Sequence, residues 1–166
     1  GRDTVYLIRG SYGVSINRQP EQWREKKISN FSDQQVESII LADHYQITKV
    51  DEGWKVIPAS GEEFIADENQ ANRVVKNFQN LRTSDFPEEE EYAEVDWDTP
   101  VHEAWVNLYS GESIHIRYYN DPNDENRFFL RYGENETVFR VYQGIITQVF
   151  KDADILKPKE PESDEA

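Results

Sequence analysis

Residues 51–81 read DEGWKVIPASGEEFIADENQANRVVKNFQNL, and they decide the fold. Asp51-Glu52-Gly53 is a tight-turn signal, because Gly takes positive φ without penalty. The run 54–57 that follows alternates, with Trp54 and Val56 on one face. Asp67 is placed to accept from the first backbone N–H groups of a helix, and Gln70 stands three residues on, as in a capping box. Ala71, Val74, Val75, Phe78 and Leu81 then fall on one helical stripe, with Asn72, Arg73, Lys76, Asn77 and Asn80 facing out. The spacing predicts a helix over roughly 67–82. Trp54 reads as a core aromatic rather than a stacking platform, since it alternates in step with Val56.

Working back, VESIIL (36–41) and YQITKV (45–50) are joined by Ala42-Asp43-His44, so residues 36–57 form a three-stranded meander. His44 is expected to be exposed in its turn. TVYLIRGSYGVSI (4–16) is strand-like and broken by Gly10 and Gly13, and QPEQWREKKI (19–28) suits a short helical turn.

Working forward, SDFPEEEEYAEVDWDTP (84–100) carries eight acids and no base. It reads as a solvated connection tethered by Tyr92, Val95 and Trp97. A second β block follows: 103–109, 112–119, 127–132 and 137–142, with turns at Ser110-Gly111 and Gly133-Glu134-Asn135-Glu136. In its second strand Ile114, Ile116 and Tyr118 face one way, and His115, Arg117 and Tyr119 the other. A short helix is expected around Ile145, Ile146, Val149 and Phe150. The tail 158–166 has no apolar residue that would anchor it and is expected to be disordered. The fold class is therefore α+β: antiparallel meanders packed against one main amphipathic helix, with a short C-terminal helix.

Segments 4–28 and 137–157 both open Thr-Val-aromatic and continue through an apolar strand, a Gly and a charged exit. The echo suggests a tandem repeat. Residues 1–28 are then the closing strand of a preceding unit, 29–157 one complete α+β unit, and 158–166 an acidic tail. The chain has no Met and begins on a strand-like run, which suits an excised or processed form. Any membrane anchor is expected upstream of it.

Composition narrows the partners. Acids outnumber bases 33 to 18, for a formal charge of −15, and no basic stripe occurs, so nucleic acid is a poor partner. There is no Cys, which excludes disulfides, thiolate metal sites and cysteine nucleophiles. No apolar run approaches the ~20 residues that span a bilayer. Aromatic residues make up 13% of the chain, so most of it should fold.

The candidate chemistry is sparse. Asp121, Asp124 and Glu125 offer oxygen ligands for Ca²⁺, but their loop lacks the spaced pattern of an EF-hand and reads first as a polar hairpin loop. His102 and His115 lie on separate elements without ligand-spaced neighbours. Asp96 and Asp98 could act as acid and base in glycan hydrolysis, which needs carboxylates held across a cleft, and two acids in an acidic linker are usually just solvated. No phosphate loop, nucleophile elbow or zinc-protease motif is present. No catalytic residue and no cofactor is assigned.

The chain resembles the bacterial domain-of-unknown-function 4340 family. Trp23-Arg24, Val36, Ile39, Leu41, Gly53-Trp54, Ala66-Asp67, Val74 and Leu81 match that family's run of strand, Gly-Trp strand and Asp-started helix. VDWDTPVHEAWVNLYSGESIHIRYY (95–119) is similar to its later stretch, with Val95-Asp96-Trp97 in place of Tyr-Gly-Leu and Ser110-Gly111 in place of Asp-Gly. The resemblance covers most of residues 4–157. It implies a membrane-anchored, extracytoplasmic protein (periplasmic or cell-surface) with a repeated domain, often encoded beside gliding-type ABC transporter genes. It implies no catalytic residues. The expected function is a non-catalytic accessory module binding a protein of that transport complex or an envelope component. The recognition surface is expected on an exposed sheet face or edge carrying His115, Arg117 and Tyr119. The alternatives are a carboxylate-dependent glycan-acting enzyme and a calcium-dependent adhesion module.

Overall fold

A computed structural model describes residues 25–158. It contains β1 (Val36–Leu41), β2 (Tyr45–Val50), β3 (Gly53–Pro58), β4 (Phe64–Ile65), α1 (Glu68–Gln79), β5 (His102–Leu108), β6 (Ser113–Asn120), β7 (Arg127–Tyr132), β8 (Phe139–Tyr142) and α2 (Gln143–Val149). Short 3₁₀ turns occupy Asp33–Gln35, Glu89–Glu91 and Ala153–Leu156. The eight strands form one sheet in the order β4-β3-β2-β1-β5-β6-β7-β8, antiparallel throughout. Two four-stranded meanders, each followed by a helix, thus join at β1 and β5. The fold class is α+β, as expected from the sequence.

Local chemistry explains most of the elements. Gly53 has φ +129, a conformation that L side chains rarely adopt, and it lets β3 pair with β2 immediately. Asp43 turns β1 into β2 with φ 63, which an Asp tolerates better than most residues. At the start of α1 the Asp67 carboxylate accepts from Gln70 N at 3.0 Å. The expected reciprocal arm is replaced, because Asp67 N donates to the Leu156 carbonyl at 2.8 Å. The helix start is therefore tied to the C-terminal 3₁₀ turn.

Both helices cover one face of the sheet. Ile39, Ile47, Val56, Val106, Ile116, Leu130 and Val141 meet Ala71, Val74, Val75 and Phe78 of α1 and Ile146 and Val149 of α2 in a single cluster. A β-bulge shifts the β1–β5 register between Val36 and Ser38, so Val36 and Ile39 share the core face despite a spacing of three. Trp54 is 3% exposed, and its indole N–H donates to Asn72 at 3.1 Å. Its reading as a core residue holds. Tyr45 reaches across the core to donate to the Val149 carbonyl at 3.1 Å.

The sheet edges are covered differently. β4 is only two residues long. The free edge of β8 is capped by the chain leaving α1: Ser84 N donates to the Arg140 carbonyl at 2.8 Å, and Arg140 N to the Asp85 carbonyl at 3.3 Å. Lys27 bridges Arg82, and Ile28 N donates to the Leu81 carbonyl at 2.9 Å, so residues 26–28 are stitched to the end of α1. The strand and turn expected within 4–24, Trp23-Arg24 and most of the first member of the internal echo lie outside the described residues, as does the tail from 159 on. The second member of the echo is β8 with α2.

Candidate functional site

Side chains that alternate away from the helices form the outer face of the sheet. On β5 to β8 these are Glu103 and Trp105, His115, Arg117 and Tyr119, Arg127, Phe129 and Arg131, and Arg140. The acidic connection lies across part of this face. Tyr92, Val95 and Trp97 pack on Tyr119, Phe129 and Val138 in a second apolar cluster, as the tethers expected from the sequence. Trp97 meets Tyr119 edge-on at 4.8 Å between ring centroids. The Tyr119 hydroxyl donates to the Trp97 carbonyl at 3.1 Å.

This arrangement corrects one expectation. Tyr119 is 1% exposed and so is no part of an open recognition surface. The cause is the overlying segment, whose acids are mostly exposed as expected but whose tethers Tyr92, Val95 and Trp97 close over Tyr119. That segment is held by charge as well as by rings. Arg140, itself buried, contacts Asp85 at 3.1 Å, Glu91 at 2.7 Å and Asp121 at 3.0 Å. The Asp121 contact is an ion pair without hydrogen-bond geometry, since Arg140 Nε has no acceptor. Arg127 contacts Asp85 at 3.0 Å and Asp124 at 3.1 Å. Burial alone would lower the Arg140 pKa. The Glu91 hydrogen bond, together with the charges of Asp85, Glu91 and Asp121, outweighs that and raises it. The Glu91 carboxyl is held below its ordinary range, first by the Arg140 hydrogen bond and then by the Glu88 backbone N–H.

The same network redefines the calcium candidates. The Asp121 side chain is 2% exposed and faces Arg140, and Asp124 faces Arg127. Both carboxylates already have a cation, and Glu125 is exposed beside them. A Ca²⁺ ion there would have to displace arginine. Among the described residues no three His, Asp or Glu side chains converge on a common point. Asp96 borders a shallow hollow with Glu94, Val101 and Pro122, and Asp98 does not line it. Asp96 shapes a turn, accepting from Asp98 N at 3.1 Å and from the Thr99 hydroxyl at 2.9 Å.

The histidines separate by face. His115 is on the outer face, stacked on Trp105 at 4.5 Å with 9° between ring planes, and 2.7 Å from Glu103. His102 is on the helix face, 4.7 Å from the Phe150 ring and 6.4 Å from His44, so it and His115 lie on opposite faces of the sheet. His44 is half-buried rather than exposed, because Phe150 closes over it at 5.6 Å.

His102 carries a pH prediction. Its imidazole is held below the ordinary 6.5, first by burial and second by the charge of His44. The unfolded chain binds this proton more tightly, so the contribution to stability is complete above about pH 6.5 and is lost as pH falls through the lower folded-state value. The His102 ring proton should titrate below 6.5 by NMR, and His102→Gln should show a shallower fall in Tm between pH 7 and 5. A midpoint at or above 6.5 contradicts this.

Arg117 and Arg131, direct cross-strand partners, complete the outer face. Arg117 donates to the Gly133 carbonyl at 3.0 Å. The Arg131 guanidinium lies over Trp97, 3.8 Å from the ring centroid. Arg117 and His115 were legible from strand alternation. Trp97 was read only as a tether, and Arg131, Trp105 and Glu103 were not assigned, although the Ser110-Gly111 turn, once taken to fix register, places Glu103 and Trp105 opposite Arg117 and His115.

A family model described as a domain of unknown function (DUF4340) matches residues 1–100, a span that includes β1 to β4, α1 and the acidic connection and stops before β5. No curated protein and no solved structure matches the chain.

Proposed function

This chain belongs to the DUF4340 family, and from that premise we propose a non-catalytic binding module, the extracytoplasmic part of a membrane-anchored accessory protein that docks on a protein of an ABC transport complex. The observation that carries the binding reading is the outer face of the first meander. Ile57 and Ile65 are 42% and 37% exposed there, and the half-buried Ile40, Val50 and Trp105 share the face. A shallow hollow of about 440 Å³ opens beside them between Val50, Lys55 and Ile65. Apolar side chains gathered on one sheet surface, with a polar rim, are what a protein partner buries. The stacked Trp105–His115 pair borders this patch, and Arg117 lies next to it. The location and the transport partner come from the family resemblance.

The test places a photo-crosslinking residue at position 57 of the full membrane-anchored protein in its native cells, with position 73 on α1 as control. Position 57 should yield an adduct with a transport-complex subunit, and position 73 none. Adding Lys at 65 should cut the yield at least tenfold while Tm stays within a few degrees. Equal yields from both positions, or an Ile65→Lys protein that folds and crosslinks normally, would refute the proposal.

A further inference from the structure

We propose that Arg117 and Arg131 form a binding site for a single carboxylate carried on a planar, apolar body. Four arginines line the outer face of β6 to β8. Arg127 and Arg140 are saturated with Asp85, Glu91, Asp121 and Asp124. Arg117 and Arg131 have no ion pair with any acid among the described residues, in a chain where acids outnumber bases 33 to 18. Glu103, the cross-strand neighbour of Arg117, is taken by His115 instead.

Opposing like charges directly across a strand pair is unfavourable. Here the two guanidiniums are also held in place, Arg117 by the Gly133 carbonyl and Arg131 by the Trp97 ring. The Nε atom of each is buried without an acceptor, and both side chains are half-buried, so neither arginine is closed off from the surface. Two guanidiniums held in place without a carboxylate partner among the described residues make a preorganised oxyanion receptor, since each offers a planar fork to a carboxylate or a phosphate.

The surroundings select among anions. A formal charge of −15 repels a ligand in proportion to its own charge, so a polyanion or a phosphate dianion is disfavoured against a monoanion. Trp97 packs against Arg131, and the Trp105–His115 stack stands on the strands beside Arg117, which gives aromatic surface next to each arginine. An aromatic carboxylate fits both features. This names the ligand chemistry of one subsite of the binding module, and its test is separate from the partner test above.

The experiment follows the Arg Nε–H signals by ¹H–¹⁵N NMR during titration with sodium benzoate, acetate and phosphate, with chloride holding ionic strength constant. Benzoate should shift the Arg117 and Arg131 signals saturably and bind at least tenfold more tightly than acetate or phosphate. Arg117→Gln should weaken benzoate at least tenfold with Tm unchanged. Arg131→Lys, which keeps the charge over Trp97 but loses the fork, should do the same if Arg131→Gln proves unstable. Ile57→Lys with Ile65→Lys should leave the titration unaltered, which separates this site from the partner surface. No saturable shift with benzoate, tighter binding of phosphate, or full benzoate binding by Arg117→Gln would each overturn the proposal.

Discussion

Replacing Arg140 by Met should destabilise the protein by about 3 kcal/mol, the lower end of what removing one member of a buried ion pair costs. The decisive partner is Asp121, whose side chain is 2% exposed. Without Arg140 its carboxylate stays desolvated and lacks its countercharge. Asp85 and Glu91 are each 42% exposed, so water and salt screen their loss, and they add little. Met keeps most of the contact with Phe129, whose ring is 5.1 Å from the guanidinium carbon, so the effect isolates charge from packing. In urea the midpoint should fall by roughly 1.5 M, given slopes of about 2 kcal/mol per M. Asp121→Asn in the Arg140→Met background should recover more than half the loss, because the stranded charge is then gone. A single variant within 1 kcal/mol of the parent, or a double variant no more stable than the single, would show that Asp121 does not depend on Arg140.

That network shows where local sequence reading ends. Strands β1, β2, β3, β5, β6, β7 and β8 were legible because alternation and turn residues are local signals, and the Asp67-started stripe gave α1 in the same way. The joining of the two meanders at β1 and β5 was not legible. It pairs Leu41 with Ala104 across 63 residues, and nothing near either residue encodes the match. The bulge at Glu37 and Ser38 has meaning only once that pairing exists. Asp85 and Glu91 belong to a run of acids that suits solvent as long as Arg127 and Arg140 are unplaced. Tyr119 follows from the same omission. Strand alternation assigned its face correctly, but its burial depends on Trp97 folding over it, and the tether was visible only as an apolar residue in a polar segment. The candidate site was thus half legible: His115 and Arg117 from strand pattern, Trp97 as a tether, but the pairing of Arg131 with Arg117 and its contact with Trp97 only from tertiary structure.

The largest single loss should come from Phe78→Ala in α1, on the order of 4 kcal/mol, within the range for emptying a buried Phe site. Phe78 is 1% exposed and sits in the main cluster with Leu81, Val74 and Val75. Its backbone contact survives the substitution, since the Ser29 hydroxyl donates to the Phe78 carbonyl rather than to the ring. The cost is therefore one of transfer and cavity alone. It falls on an element with little stability of its own: α1 has 12 residues, and Val74, Val75, Asn72 and Asn77 are indifferent helix formers. A helix of that length is marginal in water, so packing on the sheet holds it in place. Two consequences follow. Phe78→Leu, which keeps most of the volume, should cost less than about 1.5 kcal/mol. In hydrogen exchange on Phe78→Ala, the amides of residues 71–79 should lose protection to a greater degree than those of β5 and β6, because the helix undocks before the sheet opens. Uniform loss across the sheet and α1 would mean that the helix and the sheet open as one unit. A cost below 1 kcal/mol would mean that Phe78 is not part of the contact that fixes α1.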